Sequence, residues 1–180
     1  MPVSNQRTRR IATDDPGSGF KCGEPALDAF FARHALRNDH DGIGNTFVLP
    51  GAGSPEEPAV LGFYTLSMAD MERGRIDTLL TGITSKLPRY PLPVALIGRL
   101  AVHEGAQGRG LGAALLVDAL DRIAAAAGNV GCVGVVVDAK TAAAENFYQR
   151  YGFTTLDPEA PYPRRMFVPM QSVRSALGAP

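Results

Sequence analysis

Tryptophan is absent from this 180-residue chain, and lysine is nearly so. Of 18 basic residues only Lys21, Lys86 and Lys140 are lysines, and 18 acidic residues cancel the charge. A polycation that works through bulk charge is thereby excluded. The arginine bias favours bidentate phosphate contacts, although an arginine-rich codon usage produces the same bias. Cysteine is limited to Cys22 and Cys132, far apart and without metal-ligand spacing. No disulfide framework and no metal site are implied, and Cys132, inside an apolar run, reads as a buried thiol. Long apolar runs are missing too. The best candidate, residues 123–137, is broken by Gly128, Asn129 and Gly131 and falls short of the roughly 20 residues of a membrane span. The polar, basic start is not followed by an apolar stretch, so it is no signal peptide. These absences point to a cytoplasmic protein with no membrane partner. At 45% hydrophobic and 20% charged, disorder and fibrous repeats are excluded as well.

The remaining pattern is that of a mixed α/β chain. Residues 1–19 are polar, carry the turn cluster Asp14-Asp15-Pro16-Gly17, and read as a flexible arm. From Pro25 to about residue 37, Leu27, Phe30, Phe31 and Ala35 recur at helical spacing, with Pro25 suited to the first turn. Residues 46–49 form a short strand, and residues 60–68 should pair with it as a hairpin. Residues 71–89 are ambiguous. Residues 94–102 read as a strand, followed by a glycine-rich stretch over 105–112 and a helix to about residue 127. In that helix Leu116, Leu120, Ile123 and Ala127 make one apolar stripe. Residues 132–137 suggest a strand covered on both faces, and residues 141–151 a second helix closed by Gly152. Residues 153–155 and 166–170 supply the last strands. The expected organisation is one domain over residues 20–172 with a C-terminal tail over 173–180, built as a mixed sheet flanked by helices.

Gln107-Gly108-Arg109-Gly110-Leu111-Gly112-Ala113 lies between a strand and a helix. Glycines let backbone approach an anion, and a helix start offers unpaired N–H groups and a positive dipole end. A phosphate cradle is one reading. A dinucleotide loop is another, since Gly108, Gly110 and Ala113 match its pattern, although five residues separate the strand end from the glycines. A turn with no ligand is the third.

About 35 residues on comes Glu145-Asn146-Phe147-Tyr148-Gln149-Arg150-Tyr151-Gly152-Phe153. Together with Leu100-Ala101-Val102 and the glycine-rich turn, it resembles the two signature blocks of the GNAT family, the acetyl-CoA-dependent N-acetyltransferases. Further segments are similar to one branch of that family: Leu27-Asp28-Ala29-Phe30-Phe31, Gly62-Phe63-Tyr64-Thr65-Leu66-Ser67, the Pro-rich run from Leu87 to Val94, and Ile97-Gly98-Arg99. That branch comprises the toxins of bacterial toxin–antitoxin pairs that acetylate aminoacyl-tRNA and are neutralised by a ribbon-helix-helix antitoxin. Those toxins tend to be basic, whereas this chain is neutral.

The resemblance implies central parallel strands that splay to form an acetyl-CoA cleft, and a homodimer. It implies that Leu100, Ala101 and Val102 meet the pantetheine arm through their backbone. It further implies that Gln107, Gly108, Arg109, Gly110, Leu111, Gly112 and Ala113 hold the pyrophosphate. Tyr148 matches the family's general acid, a phenol that stays protonated at neutral pH and donates to the departing thiolate. Tyr151 reads as core, and Asn146, about 200° round the helix from Tyr148, faces elsewhere. No general base is evident; Glu72 and His103 are the nearest candidates by position. Local charge bears on the acceptor. Residues 73–109 hold six bases against two acids, and residues 1–37 six against four. Arg33, Arg37, Arg73, Arg75 and Arg89 are therefore candidates for tRNA phosphates, with Arg33 and Arg37 expected on one face of the first helix. A small-molecule or protein amine is the competing acceptor, and a domain that binds acyl-CoA without turnover is the third possibility.

Overall fold

The computed structural model describes residues 7–76, 79–80 and 89–178. Seven strands make one mixed sheet: β1 (Arg9–Arg10), β2 (Asn45–Pro50), β3 (Val60–Met71), β4 (Leu92–Val102), β5 (Gly134–Ala139), β6 (Thr154–Thr155) and β7 (Arg164–Pro169). They are ordered β1-β2-β3-β4-β5-β7-β6. Among the described residues five α-helices accompany them: α1 (Pro25–Arg33), α2 (Ala35–His40), α3 (Leu111–Ala126), α4 (Ala142–Gln149) and α5 (Met170–Leu177). Two compact units share these elements. One comprises Met1–Ser67 with Gly98–Ala119, the other Met68–Ile97 with Leu120–Pro180. β3, β4 and α3 each pass from one unit into the other.

In the first unit the expected hairpin is present, with Thr46 opposite Thr65 and Val48 opposite Phe63. Its core joins Phe20, Phe30, Phe31, Val48, Phe63 and Ala101. Each of the phenylalanines and Val48 contributes roughly 1.5–3 kcal/mol by leaving water. The stretch read as a flexible arm belongs, from residue 7 on, to the fold. Arg9 and Arg10 pair with Val48 and Phe47, and Ile11 is buried. The reason is electrostatic. Arg10 donates through Nε and Nη2 to Asp39 at 3.0 and 2.8 Å, and Asp39 also accepts from the Thr46 N–H at 2.8 Å. Arg9 donates through Nη1 and Nη2 to buried Asp15 at 2.7 and 2.9 Å. Residues 1–6 lie outside the described residues.

The expected helix over residues 25–37 is two helices. His34 leaves helical geometry at φ −125°, ψ −27°, so Arg33 closes α1 while Arg37 belongs to α2, and the shared face expected for them is not formed. Arg37 is instead ion-paired with Asp41 at 3.5 Å.

In the second unit β4 and β5 pair in parallel over three residues only, Ala95–Ile97 against Val135–Val137. β4 runs five residues beyond the last of these pairs. β5 is fully buried from Gly134 to Val137, matching the strand covered on both faces. A Cβ at Gly134 would lie 2.3 Å from the Phe167 ring and 2.5 Å from the Val168 carbonyl oxygen, so only glycine fits there. The expected C-terminal tail is α5, whose Met170 and Val173 are buried. Its apolar face is too short to register as a period in the sequence.

Candidate active site

The glycine-rich turn sits in the first unit. β4 ends at Val102, and a 3-10 turn, Glu104–Ala106, follows. His103 caps that turn, its Nδ1 accepting from the Gly105 N–H at 3.1 Å. Gly108 and Gly110 each adopt φ +78°, a left-handed conformation that costs any residue with a Cβ about 1–2 kcal/mol. The space where a Cβ would stand is open at both, so conformation and access, rather than crowding, call for glycine. The first bond closing the start of α3 runs from the Ala114 N–H to the Gly110 carbonyl. The N–H groups before it have no acceptor within the helix and carry the positive end of a 16-residue dipole. Arg109 is exposed and donates to the Gly105 carbonyl at 3.3 Å. The turn thus presents glycine backbone and free N–H groups beside open space, the features a phosphate cradle needs.

The Gln107 side chain has a structural part of its own. Its side-chain amide donates to the carbonyls of Cys22 and Val102, at 2.9 and 3.0 Å, and so ties the turn to the end of β4. Leu100 and Val102 are half-buried, while Ala101 is buried in the aromatic core. Leu111, Gly112 and Ala113, the first residues of α3, are half-buried.

Tyr148 sits in the second unit, on α4. Thr141 caps this helix, its Oγ1 accepting from the Ala144 N–H at 3.2 Å, and Gly152 follows at φ +86°. Tyr148 packs between Phe147 and Phe153, with ring centroids 5.2 and 5.5 Å away. Burial pushes its hydroxyl up to about 12, and the Asp138 carboxylate adds to the shift. Among the described residues that hydroxyl has no hydrogen-bond partner, so it is free to donate. Tyr151 packs against Phe147 at 5.3 Å and is half-buried, as the core reading requires. Asn146 is exposed.

The sequence reading missed a neighbour of Tyr148. Glu145, inside the signature block, is buried and accepts from Thr155 Oγ1 at 2.5 Å, Tyr162 Oη at 2.6 Å and Arg164 Nη1 at 3.2 Å. The Thr155 hydroxyl first, then Tyr162 and Arg164, hold its carboxyl below the usual range. A charged residue in the same block as an apolar pair was the available signal.

The basic candidates are divided between the two units. Arg33 and Arg37 lie in the first unit; Arg73, Arg75 and Arg89 lie in the second. Arg73 and Arg75 share a 3-10 turn after β3, and all but half-buried Arg73 are exposed. Lys86 and Asp77, counted in the local charge, lie outside the described residues. Neither base candidate is poised: Glu72 is exposed, and the His103 ring is engaged by Gly105 and edge-on to Phe20 at 5.7 Å. Cys22 is no nucleophile, since burial, with the Asp28 carboxylate adding, pushes its thiol up to about 11. Cys132 is half-buried, and burial raises its thiol as well. Among the described residues no group of side chains could hold a metal ion, and no helix is long and apolar enough to cross a membrane.

Residues 59–155 match the family model described as an acetyltransferase (GNAT) domain. The chain belongs to the GNAT family. It is thus an acetyl-CoA-dependent N-acetyltransferase, and the mixed sheet with its flanking helices is the fold of that family. Over 170 residues, 94% of this chain and 95% of the relative, it is 32% identical to the tRNA-acetylating toxin of Mycobacterium tuberculosis (strain ATCC 25618 / H37Rv). Among solved structures it resembles AtaT complexed with acetyl-methionyl-tRNAfMet, with a TM-score of 0.80 and 30% identity over 96% of this chain and 99% of that one. It also resembles a tyrosine-to-phenylalanine variant of the AtaT toxin, bound to acetyl-CoA and to the C-terminus of the antitoxin AtaR. There the TM-score is 0.75 and the identity 28%, over 95% of this chain and 97% of that one.

Proposed function

We propose that this GNAT enzyme transfers acetyl from acetyl-CoA to the α-amine of an aminoacyl-tRNA, as the toxin of a toxin–antitoxin pair. The observation that carries this reading is the end-to-end likeness to a tRNA-acetylating toxin, which spans 94% of the chain. A family domain alone would leave the acceptor open.

The chemistry follows from the residues. Backbone N–H groups from Gly108 to Ala113 hold the diphosphate of acetyl-CoA, with Arg109 adding charge. The free strand edge over Leu100, Ala101 and Val102 takes the pantetheine arm, and an N–H there stabilises the oxyanion, an effect worth about 3–4 kcal/mol in measured cases. The amine attacks the thioester carbonyl carbon, a C–N bond forms, and the C–S bond breaks with its electron pair leaving on sulfur. The α-amine of an aminoacyl ester is a weaker base than lysine and partly neutral near pH 7, so water suffices to take the ammonium proton. This suits a site in which neither Glu72 nor His103 is poised. Tyr148 donates to the sulfur as negative charge builds on it. Coenzyme A thiol, with a pKa near about 8.5, is a stronger acid than a phenol at about 12. Donation therefore assists the bond breaking itself, and solvent restores the final proton balance.

Exposed Arg33, Arg37, Arg75 and Arg89, with half-buried Arg73, contact tRNA phosphates in this reading. A ribbon-helix-helix antitoxin neutralises the enzyme, which acts as a homodimer. The test is to incubate the protein with labelled acetyl-CoA and bulk charged tRNA and to locate the label. Label on the amino acid of charged tRNA is expected. Label confined to added small amines or protein amines overturns the proposal.

A further inference from the structure

Among the described residues Arg9 is matched to Asp15, Arg10 to Asp39, Arg37 to Asp41, Arg164 to Glu145 and Arg165 to Asp138. Arg99 is matched to a ring. Its guanidinium carbon lies 3.6 Å from the centroid of Phe30, and Phe30 is stacked in turn on Phe63, with centroids 6.3 Å apart and planes inclined by 23°. Among the described residues Arg99 has neither a hydrogen bond nor an ion pair. Burial alone holds its pKa below the usual guanidinium value, with no carboxylate acting on it.

This arrangement has an energetic signature. A cation over an aromatic face gains roughly 0.5–2 kcal/mol, and the ring strips water from one side of the guanidinium. An adjacent carboxylate would normally restore what that desolvation costs, and among the described residues none is paired with Arg99. The guanidinium is thus backed by the ring on one face and otherwise exposed, and among the described residues nothing accepts from its N–H donors. Its place in the strand is informative. Side chains alternate along β4, so Arg99 shares a face with Ala101, which is buried with Phe30 in the aromatic core. Leu100 and Val102 occupy the other face. All of these residues lie in the first unit.

We infer that Arg99, set against the Phe30 ring, is an acceptor-binding residue that seats a backbone phosphate of the nucleic-acid acceptor. The inference rests on the aminoacyl-tRNA reading above and adds a residue to the five arginines named there. A guanidinium fork matches phosphate oxygens in pairs, which a lysine cannot do. Among the described residues no acidic side chain competes for it, and the ring behind it lowers the local polarity on one side, which strengthens attraction to an incoming anion. Coenzyme A also carries phosphates, so the test must tell the two sources apart.

Wild type, Arg99→Gln, Arg99→Lys and Phe30→Leu are compared in three measurements. These are steady-state acetylation of bulk charged tRNA, titration with the trinucleotide CpCpA (the 3′ end common to tRNAs), and calorimetric binding of acetyl-CoA. Arg99→Gln should raise KM for charged tRNA roughly tenfold with kcat little changed, the loss of one charge-assisted pair. It should weaken CpCpA binding by a similar factor and leave acetyl-CoA affinity unchanged. Arg99→Lys should recover only part of the loss, and Phe30→Leu should shift KM the same way by less. If Arg99→Gln fails to fold, Arg99→Lys carries the same comparison. Failure of the wild type to bind CpCpA overturns the inference, as does an Arg99→Gln enzyme with unchanged KM. A loss confined to acetyl-CoA affinity assigns the phosphate to the coenzyme and also overturns it. Full rescue by lysine overturns the stacked-fork argument. A wild type that binds CpCpA through Arg99 yet acetylates no tRNA sinks the proposed function and leaves the phosphate seat standing.

Discussion

Tyr148→Phe removes one oxygen and keeps the ring contacts with Phe147 and Phe153. Turnover should fall 10²- to 10⁴-fold, the usual range for a lost general acid, while calorimetry should show acetyl-CoA affinity unmoved. Turnover within threefold of wild type would mean another donor serves the sulfur. The direction of the Tyr148 shift adds a pH expectation. A phenol raised to about 12 stays protonated throughout the working range, so no alkaline loss of kcat from this group is expected below about pH 10. Gly110 makes the second case. At φ +78° with open space beside it, Gly110→Glu adds backbone strain and a negative charge where a diphosphate would bind. Acetyl-CoA binding should vanish in a titration while the far-ultraviolet spectrum stays native; retained affinity would rule out the cradle.

At the level of the element, Glu145 anchors α4 to the strands beside it through Thr155 and Arg164. Its carboxyl sits below the ordinary range when folded. Its contribution to stability is therefore complete above the unfolded value of about 4.3, and it fades as pH falls through the lower folded value. Glu145→Gln should melt earlier than wild type at pH 7, and the two melting curves should converge towards pH 3. A gap that persists at pH 3 would show that packing, not charge, is what the substitution removes. The same scale explains what the sequence could and could not reveal. The hairpin, α3, β5 and α4 were legible because apolar spacing and glycine stops are local signals. The glycine turn and Tyr148 were legible because they lie in contiguous motifs. β1 was hidden because its hold is an Arg10–Asp39 pair 29 residues apart in the chain. The break at His34 was hidden because Leu27, Phe30, Phe31 and Ala35 keep one helical period across it. Stacked Arg99 was hidden because Phe30, its partner, belongs to a helix far back in the sequence.

For the molecule as a whole, the balance of 18 bases and 18 acids gives little long-range steering, so under the proposed function charged tRNA would be held by local contacts. Affinity should nonetheless fall steeply between low and physiological salt as counterions are released. Arg33, Arg37, Arg73, Arg75 and Arg89, changed singly to Ala, should each flatten the slope by about one unit. Acetyl-CoA binding should survive in all five. A reaction indifferent to salt, with five fully active variants, would favour a small amine as acceptor. Expression in a bacterial host offers a parallel readout, since growth should arrest and Tyr148→Phe should relieve the arrest. The strand formed by Arg9 and Arg10 carries a consequence for how the protein is handled. It covers the outer backbone of β2, where Thr46, Phe47, Val48 and Leu49 are all uncharged and buried. A chain trimmed back to Gly19 would uncover that backbone as a sticky edge, the kind that recruits another strand. Light scattering of such a trimmed chain should show particle size growing with concentration, and a size independent of concentration would show that β2 needs no such cover.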